Sequence, residues 1–399
     1  MLCLNAHGNI LKTWQYCQRV KVLLIPSSYN GVKSLLTTQG FKLSSQPAKF
    51  YEKKSYTSVK LFESPRLSGH QILSFKNELS TLTDSAKIPL TKLPSIYAAL
   101  SKWYLTLFVV MTMDAGYCLA PVAFDQSAFY IATVGTLLCS CCANTLNQIA
   151  EVEYDALMDR TRRRPLVRNL ITPNHAFGFS VISGAAGFSI LYGGVNLLTA
   201  SLGLSTILLY ATVYTPLKRV HWFNTWVGAV VGAIPPVMGW TAATGQISAG
   251  AFIFSGILYA WQFPHFYALA WRRRNDYARG NYQMLPLSHP QATKYVVVVH
   301  ALSLWALCFA APPTAVASWA FTWLSVPLNF WLTKDSFNFY REGNSRAAKK
   351  LYKCSLYYIV LLSAGLILDR KVLSKLNMSE HKDKIFEILS KTAPKETLF

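Results

Sequence analysis

The sequence predicts an all-α protein, a polytopic bundle of nine transmembrane helices, and three observations predict it. Of 399 residues, 52% are hydrophobic and only 14% charged, with a mean hydropathy of +0.25, whereas soluble domains carry roughly 25% charged residues. Nine apolar segments recur between residues 105 and 368. The loops joining them alternate between basic and free of Lys and Arg, the pattern that sets orientation in a bilayer. A net charge of +21 would suit nucleic acid, but the basic residues flank apolar runs instead of forming one patch, so no nucleic-acid partner is expected.

Residues 1–85 read as a transit peptide and disordered linker. The first acidic residue is Glu52, preceded by Lys12, Arg19, Lys21, Lys33, Lys42 and Lys49 among many hydroxyl side chains. Basic, hydroxyl-rich and acid-poor is the composition of an organellar targeting segment. Residues 86–104, with Pro89 and Pro94, read as an interfacial segment lying on the membrane surface.

The crossing segments are expected at 105–124, 129–146, 176–193, 197–213, 225–243, 250–271, 295–311, 315–331 and 352–368. Several are near the lower length limit for a span. Gly184, Gly187, Gly228, Gly232 and Gly239 suit close helix packing in lipid. Cys139 and Cys142 form a C-x-x-C within an apolar run, which fits a small-residue helix interface better than metal or redox chemistry. A basic C-terminal tail, 369–399, follows.

The loop after the second segment holds Arg160, Arg162, Arg163, Arg164 and Arg168. Lys218 and Arg219 follow the fourth, and Arg272, Arg273, Arg274, Arg279 and Lys294 the sixth. The even-numbered ends therefore share the inside face. If the targeting reading holds, that is the matrix face of the mitochondrial inner membrane.

On that face the second segment runs into Asn147, Glu151, Asp155 and Asp159, four oxygen donors at every fourth residue. Each step turns a helix 400°, so successive members drift by only about 40° and share one broad face. Acids at a helix C-terminus meet the negative end of the macrodipole. A divalent cation would reverse that penalty, and oxygen-only ligands suit Mg2+. The bland alternative is a helix end whose acids pair with the adjacent arginines. The same face receives Tyr214-Thr-Pro-Leu-Lys-Arg219, Trp261-Gln-Phe-Pro-His-Phe266 and Asp276-Tyr277. Basic groups there can grip phosphate oxygens, and the apolar interior suits a lipid tail.

The N-x-x-x-[D/E]-x-x-x-D ladder with R-T-x-x-R-P-L resembles the UbiA superfamily of intramembrane aromatic prenyltransferases. YTPLKR, the glycine- and proline-bearing stretch 228–240, and WQFPHF followed by DYARG resemble its haem-farnesylating branch. The resemblance covers about residues 105–368. It implies a nine-helix bundle that transfers a farnesyl group from farnesyl diphosphate to a vinyl group of protoheme IX (haem B), giving haem O and diphosphate. Haem B and farnesyl diphosphate would be the substrates, Mg2+ the cofactor, the bilayer the setting, and the haem A synthesis machinery a downstream partner. It also implies catalytic roles for Asn147, Glu151, Asp155, Lys218, Arg219 and Asp276, with Asn147, Glu151, Asp155 and Asp276 as metal ligands. Arg160, Arg164, Tyr214, His265 and Tyr277 would bind substrate. Glu151 stands where the superfamily usually has Asp, so its ligation could run through water. Asp159, beside the arginines, reads as a structural ion pair.

Two other functions compete with this reading. A quinone-precursor aromatic could be the acceptor, against which WQFPHF and the single Asp276 argue. A transporter or assembly factor should place its site near the midplane between interrupted helices, whereas here the polar groups gather at one surface.

Overall fold

A computed structural model describes residues 90–392, within the unit Leu73–Phe399. The targeting and linker expectation for 1–85 lies outside the described residues. Among the described residues all regular structure is helical. A short helix α1 (Leu93–Leu100) precedes α2 (Trp103–Leu119), α3 (Gln126–Leu157), α4 (Pro173–Gly194), α5 (Leu197–Val220) and α6 (Asn224–Thr244). Then come α7 (Ala249–Arg272), the short α8 (Arg274–Arg279) and α9 (Leu285–Ser288), α10 (Pro290–Ala310), α11 (Trp319–Glu342) and α12 (Ser345–Thr392).

Each of the nine predicted segments falls on one of the long helices among the described residues. By length and apolarity alone six of them qualify as membrane spans: α3, α4, α5, α6, α10 and α12 over Ser345–Arg370. The pair α1–α2, bent by 61°, meets the same length and apolarity test only when its two helices are taken together. At 24 residues each, α7 and α11 are long enough and lack only apolarity; α7 carries Gln262, Pro264 and His265 in its middle. The helices also overrun the apolar segments. The second segment continues through Asn147, Glu151 and Asp155 to Leu157, leaving Asp159 beyond the helix after an extended Met158, and the ninth continues past 368 to Thr392, because a charged residue ends an apolar run without ending a helix.

Local chemistry sets the boundaries. Asp125 caps α3, its carboxylate accepting from the Ser127 and Ala128 N–H groups at 2.8 and 3.2 Å. Asn196 does the same for α5 through the Thr199 N–H at 2.8 Å. The eighth helix starts later than its apolar segment: Pro312–Thr314 form a 3-10 turn, Ala315 takes φ +58°, and Ser318 caps the helix through the Ala320 N–H. Asp369 of α12 accepts both the Ser318 N–H, at 2.6 Å, and the Ser318 hydroxyl, tying α12 to the start of α11.

Packing brings α2 and α6 into close contact, and two glycines allow it. A Cβ on Gly239 would lie 1.9 Å from the Met113 carbonyl oxygen, and one on Gly116 would lie 2.2 Å from that of Pro236. Small residues of this kind let backbones approach where lipid offers no hydrophobic driving force. The main core, with Ile257, Phe263, Tyr267, Phe321, Phe339 and Tyr358 fully buried, joins α7, α10, α11 and α12 to α2 and α6.

Candidate active site

The ends of α3, α5 and α7 meet as the loop charges predict, around a cavity of about 620 Å3. One wall carries Glu151, Asp155, Arg160, Arg164, Lys218 and Lys102; the rest includes Phe108, Val109, Ala143, Met238, Leu258 and Trp261. A charged wall facing an apolar pouch is suited to an amphiphile with an anionic head.

The ladder divides by facing. Glu151 and Asp155, 4% and 1% exposed, line the cavity. Glu151 accepts from Lys218 Nζ at 2.8 Å and stands 3.6 Å from Arg164 Nη1. Asp155 Oδ2 accepts from Arg164, while its Oδ1 is buried without a hydrogen-bond partner. Asn147, fully buried, accepts from Lys102 and donates to Thr215 Oγ1 at 2.8 Å, so it braces α3 against α5. Asp159 is outside the cavity and half exposed, paired with Arg279 at 2.5 Å and Arg162 at 3.6 Å. The hydrogen bond from Arg279 holds its carboxyl below the usual carboxylate range.

Asp276 stands apart from the other three expected ligands. Its carboxylate accepts the backbone N–H of Asp159 at 2.9 Å and of Arg160 at 3.4 Å, and Arg279 at 2.9 Å. It thereby holds the start of the loop that carries Arg160 and Arg164. Tyr277 does line the cavity, with the Arg160 guanidinium 5.8 Å from its ring centre. Arg219 is exposed and lies over the Tyr154 ring at 4.4 Å, whereas Lys218 lies 4.4 Å over Tyr214 at the cavity wall. His265 lines the cavity on α7.

Local backbone geometry explains how α5 delivers its groups. Pro216 has no N–H and its ring crowds the carbonyl four residues back. The helix widens into a π turn over Leu209–Tyr214, closed by the Thr215 N–H on the Tyr210 carbonyl. Tyr210 and Tyr214 are both delivered to the cavity wall from this turn, and such turns are frequent at functional sites. Gly228 of α6 leaves room for Tyr214: a Cβ there would meet its ring at 2.7 Å.

Sequence reasoning missed Lys102, Tyr210 and Tyr282. Lys102 adopts φ +48° at the bend between α1 and α2, and its ammonium donates to Asn147 and, at 3.2 Å, to the Tyr210 hydroxyl. Its signal was a lone lysine between apolar Leu100 and Trp103. The Tyr282 hydroxyl is buried without a partner at the cavity, and burial pushes this phenol above its ordinary range.

Magnesium can be tested against these donors. Among the described residues no three His, Cys, Asp or Glu side chains converge as a ready metal cage. The unpartnered Asp155 Oδ1 and the Glu151 carboxylate one turn earlier are hard oxygen donors at the cavity wall. They fit Mg2+, which binds through one or two carboxylates with substrate phosphates and water completing its shell.

A sequence model of the UbiA prenyltransferase family matches residues 108–360. The chain is 49% identical over 276 residues to the human protein named protoheme IX farnesyltransferase, mitochondrial, covering 69% of this chain and 62% of that relative's length. It is similar in fold to a solved structure of a digeranylgeranylglyceryl phosphate synthase, with a TM-score of 0.61 and 13% identity over 69% of this chain and 98% of that one. A UbiA homolog from Archaeoglobus fulgidus bound to GPP and Mg2+ gives a TM-score of 0.50 at 14% identity, over 68% of this chain and 99% of that one.

Proposed function

From the premise that this chain belongs to the UbiA prenyltransferase family, we propose that it transfers a farnesyl group from farnesyl diphosphate to a vinyl carbon of haem B. The products are haem O and diphosphate. The observation that carries the reading is the buried Glu151–Asp155 pair, bridged by Arg164 and with Lys218 on Glu151, at the head of an apolar cavity. The name of the human relative supplies the acceptor and the organelle; the loop charges, taken with the targeting-like composition of residues 1–85, support the inner membrane with the cavity mouth towards the matrix.

Lys218, Arg164 and Arg160 bind and orient the diphosphate, and Lys102 adds a donor from the opposite helix. Mg2+, held by Glu151 and Asp155 with the diphosphate oxygens, would neutralise charge on the leaving group. The allylic C–O bond breaks with its electron pair departing on diphosphate, whose charge these cations stabilise. Phe108, Val109, Met238 and Leu258 hold the prenyl chain and exclude water from the allylic cation. The Tyr214 and Trp261 rings offer π faces to that cation. The terminal vinyl carbon then forms the new C–C bond, leaving a cation on the vinyl carbon next to the ring, and water adds there and loses one proton to solvent, giving the hydroxyl of the hydroxyethylfarnesyl group. Asp276 and Asn147 position the loop and helix ends that carry these groups.

The experiment is to incubate the purified full chain with haem B, farnesyl diphosphate and Mg2+ and to weigh the porphyrin product by mass spectrometry. A porphyrin gaining one farnesyl group and one hydroxyl group is expected. Prenylation of a quinone-precursor aromatic in preference to haem would overturn the assigned acceptor.

A further inference from the structure

His265 sits in a hydrogen-bonded arrangement that favours one tautomer. The Ser355 hydroxyl donates to the Tyr352 carbonyl at 2.8 Å, so its oxygen accepts from the Nδ1–H of His265 at 3.0 Å. That leaves Nε2 as the ring nitrogen with a free lone pair. The ring is clamped: it stacks on Trp261 with centroids 4.6 Å apart and meets Tyr352 at 4.9 Å, and Trp261 Nε1 donates to the Ser355 carbonyl at 2.7 Å. A neutral imidazole oriented through Nδ1, with Nε2 available, is how proteins present histidine to a metal.

A second observation lies two turns along the same helix. Arg272 is seven residues from His265, which returns it to the same face of α7 about 10.5 Å further on. Its guanidinium stands 6.0 Å from the centre of the same Tyr352 ring, and it makes no ion pair among the described residues. An exposed, unpaired arginine at the membrane face and a metal-ready imidazole within the cavity thus flank one tyrosine. A metalloporphyrin has this polarity, with a central metal and carboxylates on one edge.

We propose that His265, Tyr352 and Arg272 form the acceptor subsite: His265 Nε2 takes the axial position on the porphyrin iron, and Arg272 pairs with a propionate at the membrane face. The assignment rests on the haem-acceptor reading above and adds the orientation in which the acceptor lies, with its propionate edge at the Arg272 end of α7.

The test is spectroscopic titration of the full chain in nanodiscs with ferric haem B, without farnesyl diphosphate. The wild type is expected to give a histidine-ligated Soret and EPR spectrum. His265→Ala should lose it, and His265→Gly should regain it with added imidazole, which separates ligation from misfolding. Arg272→Ala should weaken haem B binding about tenfold, the size expected for one charge-assisted hydrogen bond, yet leave binding of the haem dimethyl ester unchanged. A wild-type spectrum without histidine ligation, or one retained in His265→Ala, overturns the subsite even if farnesyl transfer proceeds. A His265-dependent spectrum in a chain that transfers no farnesyl supports the subsite and removes the reaction.

Discussion

Lys218 Nζ lies 2.8 Å from Glu151 Oε1, joining the end of α5 to the end of α3 across 67 residues of sequence. Both side chains are largely buried, at 14% and 6% exposure. Removing Glu151 leaves the buried Lys218 ammonium uncompensated, which costs about 3–5 kcal/mol, whereas removing Lys218 leaves Glu151 its Arg164 neighbour at 3.6 Å and costs less. Lys218→Ala and Glu151→Ala are each expected to lower thermal stability in detergent, and the double variant by less than their sum. Additive losses would show that the two side chains do not act together.

Asp155→Ala is expected to abolish farnesyl transfer while the chain still inserts into membranes, since only the buried Oδ1 and the Arg164 contact are lost. Mass analysis of haem O, with a membrane-fractionation control, checks it. Undiminished haem O would remove Asp155 from the reaction.

Chelation by EDTA should stop turnover, and added Mg2+ should restore it, because Glu151 and Asp155 supply hard oxygen ligands. Turnover that survives thorough chelation would rule out the metal requirement.

Lys102→Ala withdraws the donor that reaches Asn147 and Tyr210 from the α1–α2 bend. Loss of one fixed donor to developing charge costs about 10^2–10^3 in kcat. Steady-state kinetics should show a fall towards that range; an unchanged kcat with only a raised KM would make Lys102 a binding group alone.

Gly239→Ala tests the α2–α6 contact, where a Cβ would collide with the Met113 carbonyl. Overpacking of this kind costs about 1–3 kcal/mol, so a lower melting temperature is expected. Gly178→Ala, where a Cβ meets nothing within 4 Å, serves as the control and should not destabilise.

The amino-acid sequence by itself determined the helical class, the positions of the nine apolar segments, and the placing of the ends of the second, fourth and sixth segments (α3, α5 and α7) on one face. These follow from composition, a 3.6-residue period and loop charge, all of which are local or additive along the chain. The ladder was legible for Asn147, Glu151 and Asp155, which 400° steps keep on one broad face of α3, but not for Asp159, because α3 ends at Leu157 and Met158 turns extended. Only the tertiary structure decided which members meet the cavity. Helix period says which residues share a face, but the direction of that face depends on neighbours far off in sequence. Thus Glu151 and Asp155 line the cavity, Asn147 braces Thr215 and Lys102, and Asp159 pairs outward with Arg279. Asp276 is committed to the backbone of the Arg160 loop for the same reason. Lys102 entered the site only because the chain bends by 61° at a residue with positive φ, and no residue period encodes such a bend.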